Sequence, residues 1–361
     1  MKGNKMATAL QILHDSISFI FSHLLIINVL LSIVVVFFQR RNPKSVWAWL
    51  LILYFIPVLG FVFYLLIGAD MHKRKMFRTK EIEDRLANAI RRQELMIRSQ
   101  ELKQKYPGVT DYSDLVMYHL HTTSAMLTDD NNVEFFVNGE DKFAALKGDM
   151  RNAKKSIHIQ YYIIKNDELF RSIVEILKDK VKEGVKVRIL YDSMGCWKMR
   201  KKIWKQLEKE GIQCTEFFPA LVGRLHLRIN YRNHRKIVVI DDCIGYVGGF
   251  NIGKEYIDKD PKFGHWRDTH MRITGSSVTA LEARFILDWN FADRKRLLSY
   301  EDYMDNLKMK HTGRSPIQII TSGPDSHDEY IRNTYVRMIH KARKSIYIQT
   351  PYFIPDESMM T

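Results

Sequence analysis

The sequence predicts an α/β protein behind an amino-terminal pair of membrane-spanning helices. Three observations carry that prediction. Two uncharged stretches of 22 residues stand close together near the start. From about residue 133 onward, β-branched runs alternate with helical periodicity. One of those strand patterns then recurs 189 residues later. The chain has 361 residues and 56 Lys+Arg against 41 Asp+Glu, a formal charge of +15, which points to a membrane surface or another polyanion as partner. Residues 17 to 67 carry only three charges, Arg40, Arg41 and Lys44, a pattern that excludes an ordinary soluble protein.

The first stretch, Ile17 to Phe38, is about 33 Å long as a helix, enough to cross the hydrocarbon of a bilayer. The second, Val46 to Ile67, has the same length. Only Gln39–Ser45 separates them, so they read as a tight hairpin. Trp47, Trp49, Tyr54 and Tyr64 supply interfacial aromatics, and Pro57 and Gly60 predict a kink in the second span. A cleaved signal peptide is the rival reading, but the first span is too long, no small-residue cleavage site follows, and a second span comes directly after. His23 and Asn28 read as helix–helix hydrogen-bonding groups. Lys73, Arg74, Lys75, Arg78 and Lys80, with Lys2 and Lys5, outweigh the loop cations and predict both ends of the hairpin, and hence the catalytic domain, in the cytoplasm; a pair that dips into one leaflet without crossing is the alternative. The three cysteines, Cys196, Cys214 and Cys243, have no paired spacing; they fit a reducing compartment and argue against a disulfide scaffold or zinc finger. Glu81 to Gln104 reads as a charged helix linking membrane and globular parts, with a helix lying on anionic lipid as the sharper alternative; Pro107-Gly108 ends it.

In the globular part, Ser156 to Ile164 reads as a buried strand and Glu168 to Gly184 as a helix, with Leu169, Ile173, Val174, Ile176, Leu177 and Val181 on one face. Val185 to Tyr191 is the next strand. This βαβ unit predicts a largely parallel sheet with helices on its faces. Ala153-Lys154-Lys155-Ser156-Ile157-His158-Ile159-Gln160 then resembles Ala342-Arg343-Lys344-Ser345-Ile346-Tyr347-Ile348-Gln349, as a duplicated domain would. The second copy starts near Pro316. The expected organisation is a hairpin over 1–70, a linker and helical segment over 71–130, a first half over 131–305 and the beginning of a second over 306–361.

The densest chemistry is Asn233 to Asp241. On a strand, His234 and Lys236 point to one side, about 7 Å apart along the chain. Asp241 falls on the opposite face and is expected to anchor the strand end. Arg224, Arg228, Arg232 and Arg235 lie in a stretch with no acidic residue. Gly248-Gly249 lets backbone approach a ligand closely, and Asn251 offers a neutral amide. Cations, a histidine and accessible backbone suit a phosphate ester under attack. Histidine is a competent nucleophile, Lys236 and Asn251 would stabilise charge on the equatorial oxygens, and Asp268 is the candidate to orient the imidazole. Taken singly, each element also has an ordinary structural use: a surface strand, a turn, a solvated basic face or a nucleic-acid patch.

Together, His234, Lys236, Asp241, Gly248, Gly249 and Asn251 reproduce the spacing of the HKD signature, so the chain resembles the phospholipase D superfamily. The wider pattern is similar to the bacterial cardiolipin synthases: the two amino-terminal spans, Arg40-Arg41-Asn42-Pro43, Gly248 to Tyr256, Trp266-Arg267-Asp268-Thr269-His270 and Thr350 to Pro355. That resemblance counts Asp241 with the catalytic set. It implies a phospholipase D-like α/β/α sandwich in each of two halves whose HKD motifs share one active site. It also implies the reaction: phosphatidylglycerol passes its phosphatidyl group to a second phosphatidylglycerol through a phosphohistidine, releasing glycerol. Neither cofactor nor metal is implied, and the expected partners are anionic membrane lipids rather than nucleic acid. One departure bears on this. Ser156 precedes His234 by 78 residues, and the same step from Ser345 reaches about position 423, beyond the chain. The sequence holds one HKD motif where the resemblance implies two, so the expectation is a fragment or a truncated chain, or an oligomer in which two chains pool their motifs. The rivals are a phospholipase D-type hydrolase or nuclease of the same superfamily, and an inactive protein that binds anionic lipid.

Overall fold

The structure is a computed structural model describing residues 43–56, 90–97, 107–219, 232–323, 326 and 328–360, with scattered positions between 11 and 64. The chain divides into two compact units. The smaller comprises Met1–His72 with Ala220–Tyr231 and the larger Lys73–Pro219 with Arg232–Thr361.

In the smaller unit, helix α1 runs over Pro43–Phe55. Asn28 Nδ2 donates to the carbonyl of Leu53 at 3.2 Å, a bond between two helical segments, whereas His23 Nδ1 contacts the Phe19 carbonyl one turn back. Among the described residues no helix is long and apolar enough to cross a membrane. Much of both expected spans, Arg224 and Arg228 lie outside the described residues.

The larger unit is built on one eight-stranded sheet: β1 (Leu127–Phe136), β2 (Ser156–Tyr161), β3 (Lys186–Asp192), β4 (Gln213–Phe217), β5 (Ile237–Ile240), β6 (Ile244–Gly248), β7 (His270–Thr274) and β8 (Ser315–Gln318). Their order across the sheet is β4-β3-β2-β5-β6-β7-β1-β8. Only β2–β3 and β3–β4 pair in parallel; β2–β5, β5–β6, β6–β7, β7–β1 and β1–β8 are antiparallel. The largely parallel sheet expected from the βαβ unit is therefore corrected to a mixed one. The unit itself is present, with the predicted helix at Glu168–Lys182 between β2 and β3. Beyond β4 the chain returns through β5 in the opposite direction, and tight turns such as Asp241–Cys243 force antiparallel neighbours.

Helices cover both faces of this sheet. They include α2 (Ser113–Thr123), α3 (Gly139–Asn152), α4 (Glu168–Lys182), α5 (Lys201–Lys209) and α6 (Val278–Ala292); α7 (Tyr330–Lys341) packs on α2 and buries none of its own residues. All six residues of β2 are buried, as a strand covered on both sides requires. Their alternation sorts the layers. Ile157, Ile159 and Tyr161 pack with Phe143 and Leu146 of α3, Ile173 and Leu177 of α4 and Trp204 of α5. On the other face, Ile237 and Val239 of β5 meet Val278 and Leu281 of α6, while Leu190 of β3 meets Phe285, Ile286 and Trp289. The result is an α/β/α sandwich. Asn138 and Asp167 cap α3 and α4, each accepting a backbone N–H three residues on.

The segment expected to open a second half behaves in two ways. Ser315–Gln318 joins the same sheet as its edge strand, and Gln318 Nε2 donates to the carbonyls of Val116 and Ala125 at 3.1 and 2.9 Å. Ser345–Gln349, which copies the sequence of β2, forms no strand; its residues are exposed, Tyr347 at 92%.

Candidate active site

Strand direction decides where the candidate site lies. Because β5 is antiparallel to β2, its amino-terminal approach meets the carboxyl ends of β2 and β3. His234 and Lys236 sit in that approach, residues 232–236, just ahead of β5 rather than within it.

Two buried carboxylates hold the approach in place. Asp192, at the end of β3, accepts the backbone N–H of Asn233 at 2.9 Å on one oxygen. Its other oxygen accepts the N–H groups of Met194 and Gly195 and lies 3.7 Å from Arg232 Nη1. Asp288, fully buried on α6, accepts from Asn233 Nδ2 at 3.2 Å, Arg235 Nη1 at 3.0 Å, Gln160 Nε2 at 2.6 Å and the Arg284 guanidinium. Burial pushes the Asp288 carboxyl up, but Arg284 and Arg235 outweigh it and hold it below its ordinary value. Neither carboxylate was singled out in the sequence. The readable signal was an acid inside the apolar run Phe285-Ile286-Leu287-Asp288-Trp289.

With Asn233 and Arg235 tied to Asp288, the alternate residues meet each other. Lys236 Nζ lies 3.2 Å from His234 Nδ1 and donates to the His234 carbonyl at 2.8 Å. The Tyr162 ring stands 4.7 Å from the His234 ring and 5.5 Å from Lys236 Nζ. Lys236 is buried, whereas the outer edge of His234 is open. Burial brings the Lys236 ammonium down to about 8, opposed by the charge of Asp268. Partial desolvation and the adjacent Lys236 cation hold the His234 imidazole below its usual value. It is therefore largely neutral at pH 7, the form in which a ring nitrogen can attack.

The other candidates are placed as follows. Asp241 turns away from the imidazole. Its oxygens accept the backbone N–H groups of Lys154, Lys155 and Ser156 at 2.7, 2.6 and 2.9 Å. Asn251 is buried, with Oδ1 accepting from the Ile163 N–H at 3.1 Å and Nδ2 donating to the Tyr256 hydroxyl at 2.9 Å. The paired glycines allow a close approach of the chain to itself: a Cβ on Gly249 would stand 1.9 Å from Asp268 Oδ1, and one on Gly248 would stand 2.4 Å from the His270 Cα. Asp268 accepts the Thr269 N–H at 2.7 Å. Among the described residues no hydrogen bond joins Asp268 to His234, so its carboxylate acts on the neighbouring Lys236 instead.

His234, Lys236, Arg232 and Arg235 line a cavity of about 410 Å³. Its remaining walls are largely apolar, including Phe217, Phe218, Leu281, Ile319 and Ile331. An imidazole and cations in a largely apolar pocket are the groups that an anionic headgroup carrying hydrocarbon would need.

Comparison with known proteins shows what the chain is similar to. The family described as "Cardiolipin synthase, PLD-like domain" matches residues 146–264, and the one described as "Phospholipase D-nuclease N-terminal" matches residues 26–68. The major cardiolipin synthase of Bacillus subtilis (strain 168) is 44% identical over 348 residues, 95% of this chain and 71% of that protein. The cardiolipin synthase of Oceanobacillus iheyensis is 43% identical over 335 residues, 92% of this chain and 69% of that protein. Among solved structures, phosphatidylserine synthase of Haemophilus influenzae Rd KW20 aligns with a TM-score of 0.47 at 15% identity, covering 67% of this chain and 61% of that one. On the strength of the two curated relatives, the chain belongs to the cardiolipin synthases of the phospholipase D superfamily.

Proposed function

We propose that this chain carries out phosphatidyl transfer between two phosphatidylglycerol molecules, with His234 as one of the histidines that handle the group. The observation that carries this reading is the neutral His234 imidazole set beside a buried ammonium in an apolar-walled cavity. In the first half-reaction an imidazole nitrogen attacks phosphorus, the P–O bond to glycerol breaks, and the departing oxygen takes a proton from the second histidine of the family reaction. In the second, a hydroxyl of another phosphatidylglycerol gives its proton back to that histidine and attacks, which releases the imidazole and forms cardiolipin. Lys236 and Arg232 neutralise the non-bridging oxygens while phosphorus is five-coordinate. Asp241, Gly249, Asn251 and Asp268 support the site from outside the attack line.

The family reaction uses a second histidine, and an oligomer that pools two chains would supply one. The apolar stretches 17–38 and 46–67 serve as a membrane hairpin, with the catalytic part on the cytoplasmic side where the flanking cations collect. Residues 71–130 then link the hairpin to a first catalytic half at 131–305, and residues 306–361 begin a second.

The test is thin-layer analysis of labelled lipid after incubation with phosphatidylglycerol, together with acid-quench trapping of the phosphohistidine. The expected result is cardiolipin from the parent and none from His234→Ala. Phosphatidic acid as the main product would favour a hydrolase, and normal cardiolipin from His234→Ala would remove that residue from the mechanism.

A further inference from the structure

Between Asp192 and Glu208 the sequence has five cations, Lys198, Arg200, Lys201, Lys202 and Lys205, and no acid. The structure gathers them on one surface. They are exposed on the loop after β3 and the outer side of α5, whose inner side buries Trp204 and Leu207. Lys201 and Lys205 lie one turn apart, as do Lys202 and Lys205, so the three share a helix face. Beside them stands Trp197, a large aromatic left 52% exposed, with Lys198 Nζ 5.4 Å from its ring. The acids further along are engaged elsewhere: Glu208 with Arg296 at 3.4 Å and Glu210 with Lys178 at 3.2 Å. Half-buried Glu216 on β4 lies within electrostatic reach of Lys201.

This surface is joined to the active site. The loop bearing Trp197 begins at Asp192, which holds Asn233. Gly195 packs so closely on the Tyr162 carbonyl that a Cβ would stand 1.9 Å from it. Cys196 Sγ accepts the Ile164 N–H at 3.2 Å. Tyr162 in turn packs on His234. The patch and the reactive imidazole are thus fixed to one rim of the sheet.

We infer that Trp197 with Lys198, Arg200, Lys201, Lys202 and Lys205 is a docking surface for an anionic bilayer, seating the catalytic rim at the headgroup layer. An indole amid ammonium groups fits the boundary where lipid phosphates overlie hydrocarbon. Duplex nucleic acid would match the charge but gives the exposed indole no apolar layer to enter. The inference concerns where the domain rests and holds whether or not the chain turns over lipid.

The test uses the full chain in lipid nanodiscs, with an environment-sensitive fluorophore at Gln206→Cys on a Cys243→Ser background. Cys196 and Cys214 are buried, and burial pushes their thiols up and out of reactive range. In discs containing about one-third phosphatidylglycerol, the label should shift to the blue and be quenched by headgroup-level spin-labelled lipid. High salt should reverse both effects, and purely zwitterionic discs should show neither. Neutralising Lys201, Lys202 and Lys205 to Gln should weaken docking by about five-fold per lysine. Trp197→Ala should reduce quenching where Trp197→Phe retains it. Equal signals in anionic and zwitterionic discs, no signal in either, or a response to duplex DNA but not to lipid would each overturn the inference. No readout depends on turnover, so a failed transferase assay and a failed docking assay remain distinguishable.

Discussion

Replacing Asp241 separates a strand anchor from a reacting group. In the structure its carboxylate accepts three backbone N–H groups, from Lys154, Lys155 and Ser156, at the point where β5 ends against the start of β2. Hydrogen bonds to a charged acceptor contribute about 1.5–3 kcal/mol each when buried, and this site is partly open, so about 1 kcal/mol each is the fair figure. The backbone here is also left-handed, with φ of 52°. Asn and Asp tolerate that conformation, whereas Ala adds roughly 1 kcal/mol of strain. Asp241→Ala is therefore expected to lose about 4 kcal/mol. Asp241→Asn keeps the oxygen that serves Lys155 and Ser156 and should lose only about 1 kcal/mol. At roughly 2–4 °C per kcal/mol for a domain of this size, Asp241→Ala melts roughly 8–16 °C lower. The measurement is near-ultraviolet circular dichroism on heating in detergent, with phosphohistidine formation followed in parallel. The reasoning fails if Asn and Ala melt alike, or if Asp241→Asn melts normally yet forms no adduct.

Five further outcomes follow from the site. Lys236→Met removes the cation that lowers the His234 imidazole, so carbon-detected NMR of labelled histidine should show His234 titrating at higher pH than in the parent. In the parent, any step that uses the Lys236 ammonium should weaken as pH rises through about 8, and a rate profile flat across that range would exclude such a step. Asp288→Ala strands Arg235 and Arg284 without their shared anion and should cost about 3–5 kcal/mol in thermal or urea unfolding. Because the Asp288 carboxyl is held below its ordinary value, the stability it lends is present above that value and lost as pH falls through the lowered one; Asp288→Asn should flatten this acid limb. Gly249→Ala places a Cβ 1.9 Å from Asp268 Oδ1, so that carboxylate must swing aside, and the melt should drop by no more than a few degrees; a much larger drop would show that the carboxylate cannot move.

How far the sequence could be read depended on whether side-chain pattern or chain direction carried the information. The helix at Glu168–Lys182 and its flanking strands were legible because Leu169, Ile173 and Leu177 repeat at helical spacing between two apolar runs. The sense of β5 was not legible. Ile237 to Ile240 is buried on both faces, and such a run reads the same whichever way it lies against β2. The likeness of Ser345–Gln349 to β2 was real in sequence, yet the structure forms no strand there, since a strand needs neighbours as well as a pattern. In the site, alternation on a strand put His234 and Lys236 on one side; the structure brings them together, but in the approach ahead of β5 rather than on the strand itself. Asp192 and Asp288 escaped notice because their partners, the backbone and side chain of Asn233 and the guanidinium of Arg235, come together only through the tertiary fold. The glycine pair was read as room for a ligand, whereas its neighbours in the structure are Asp268 and His270.

Asp288 also sets an order of events during synthesis. It lies 54 residues after His234. A chain still leaving the ribosome therefore carries its imidazole and arginines well before the carboxylate that aligns them. Until α6 has been made and laid against the sheet, the approach to β5 has its Asp192 anchor but lacks the bonds from Asn233 and Arg235 to Asp288. The approach that carries His234 and Lys236 thus gains its second anchor only when the second helical layer closes over the sheet.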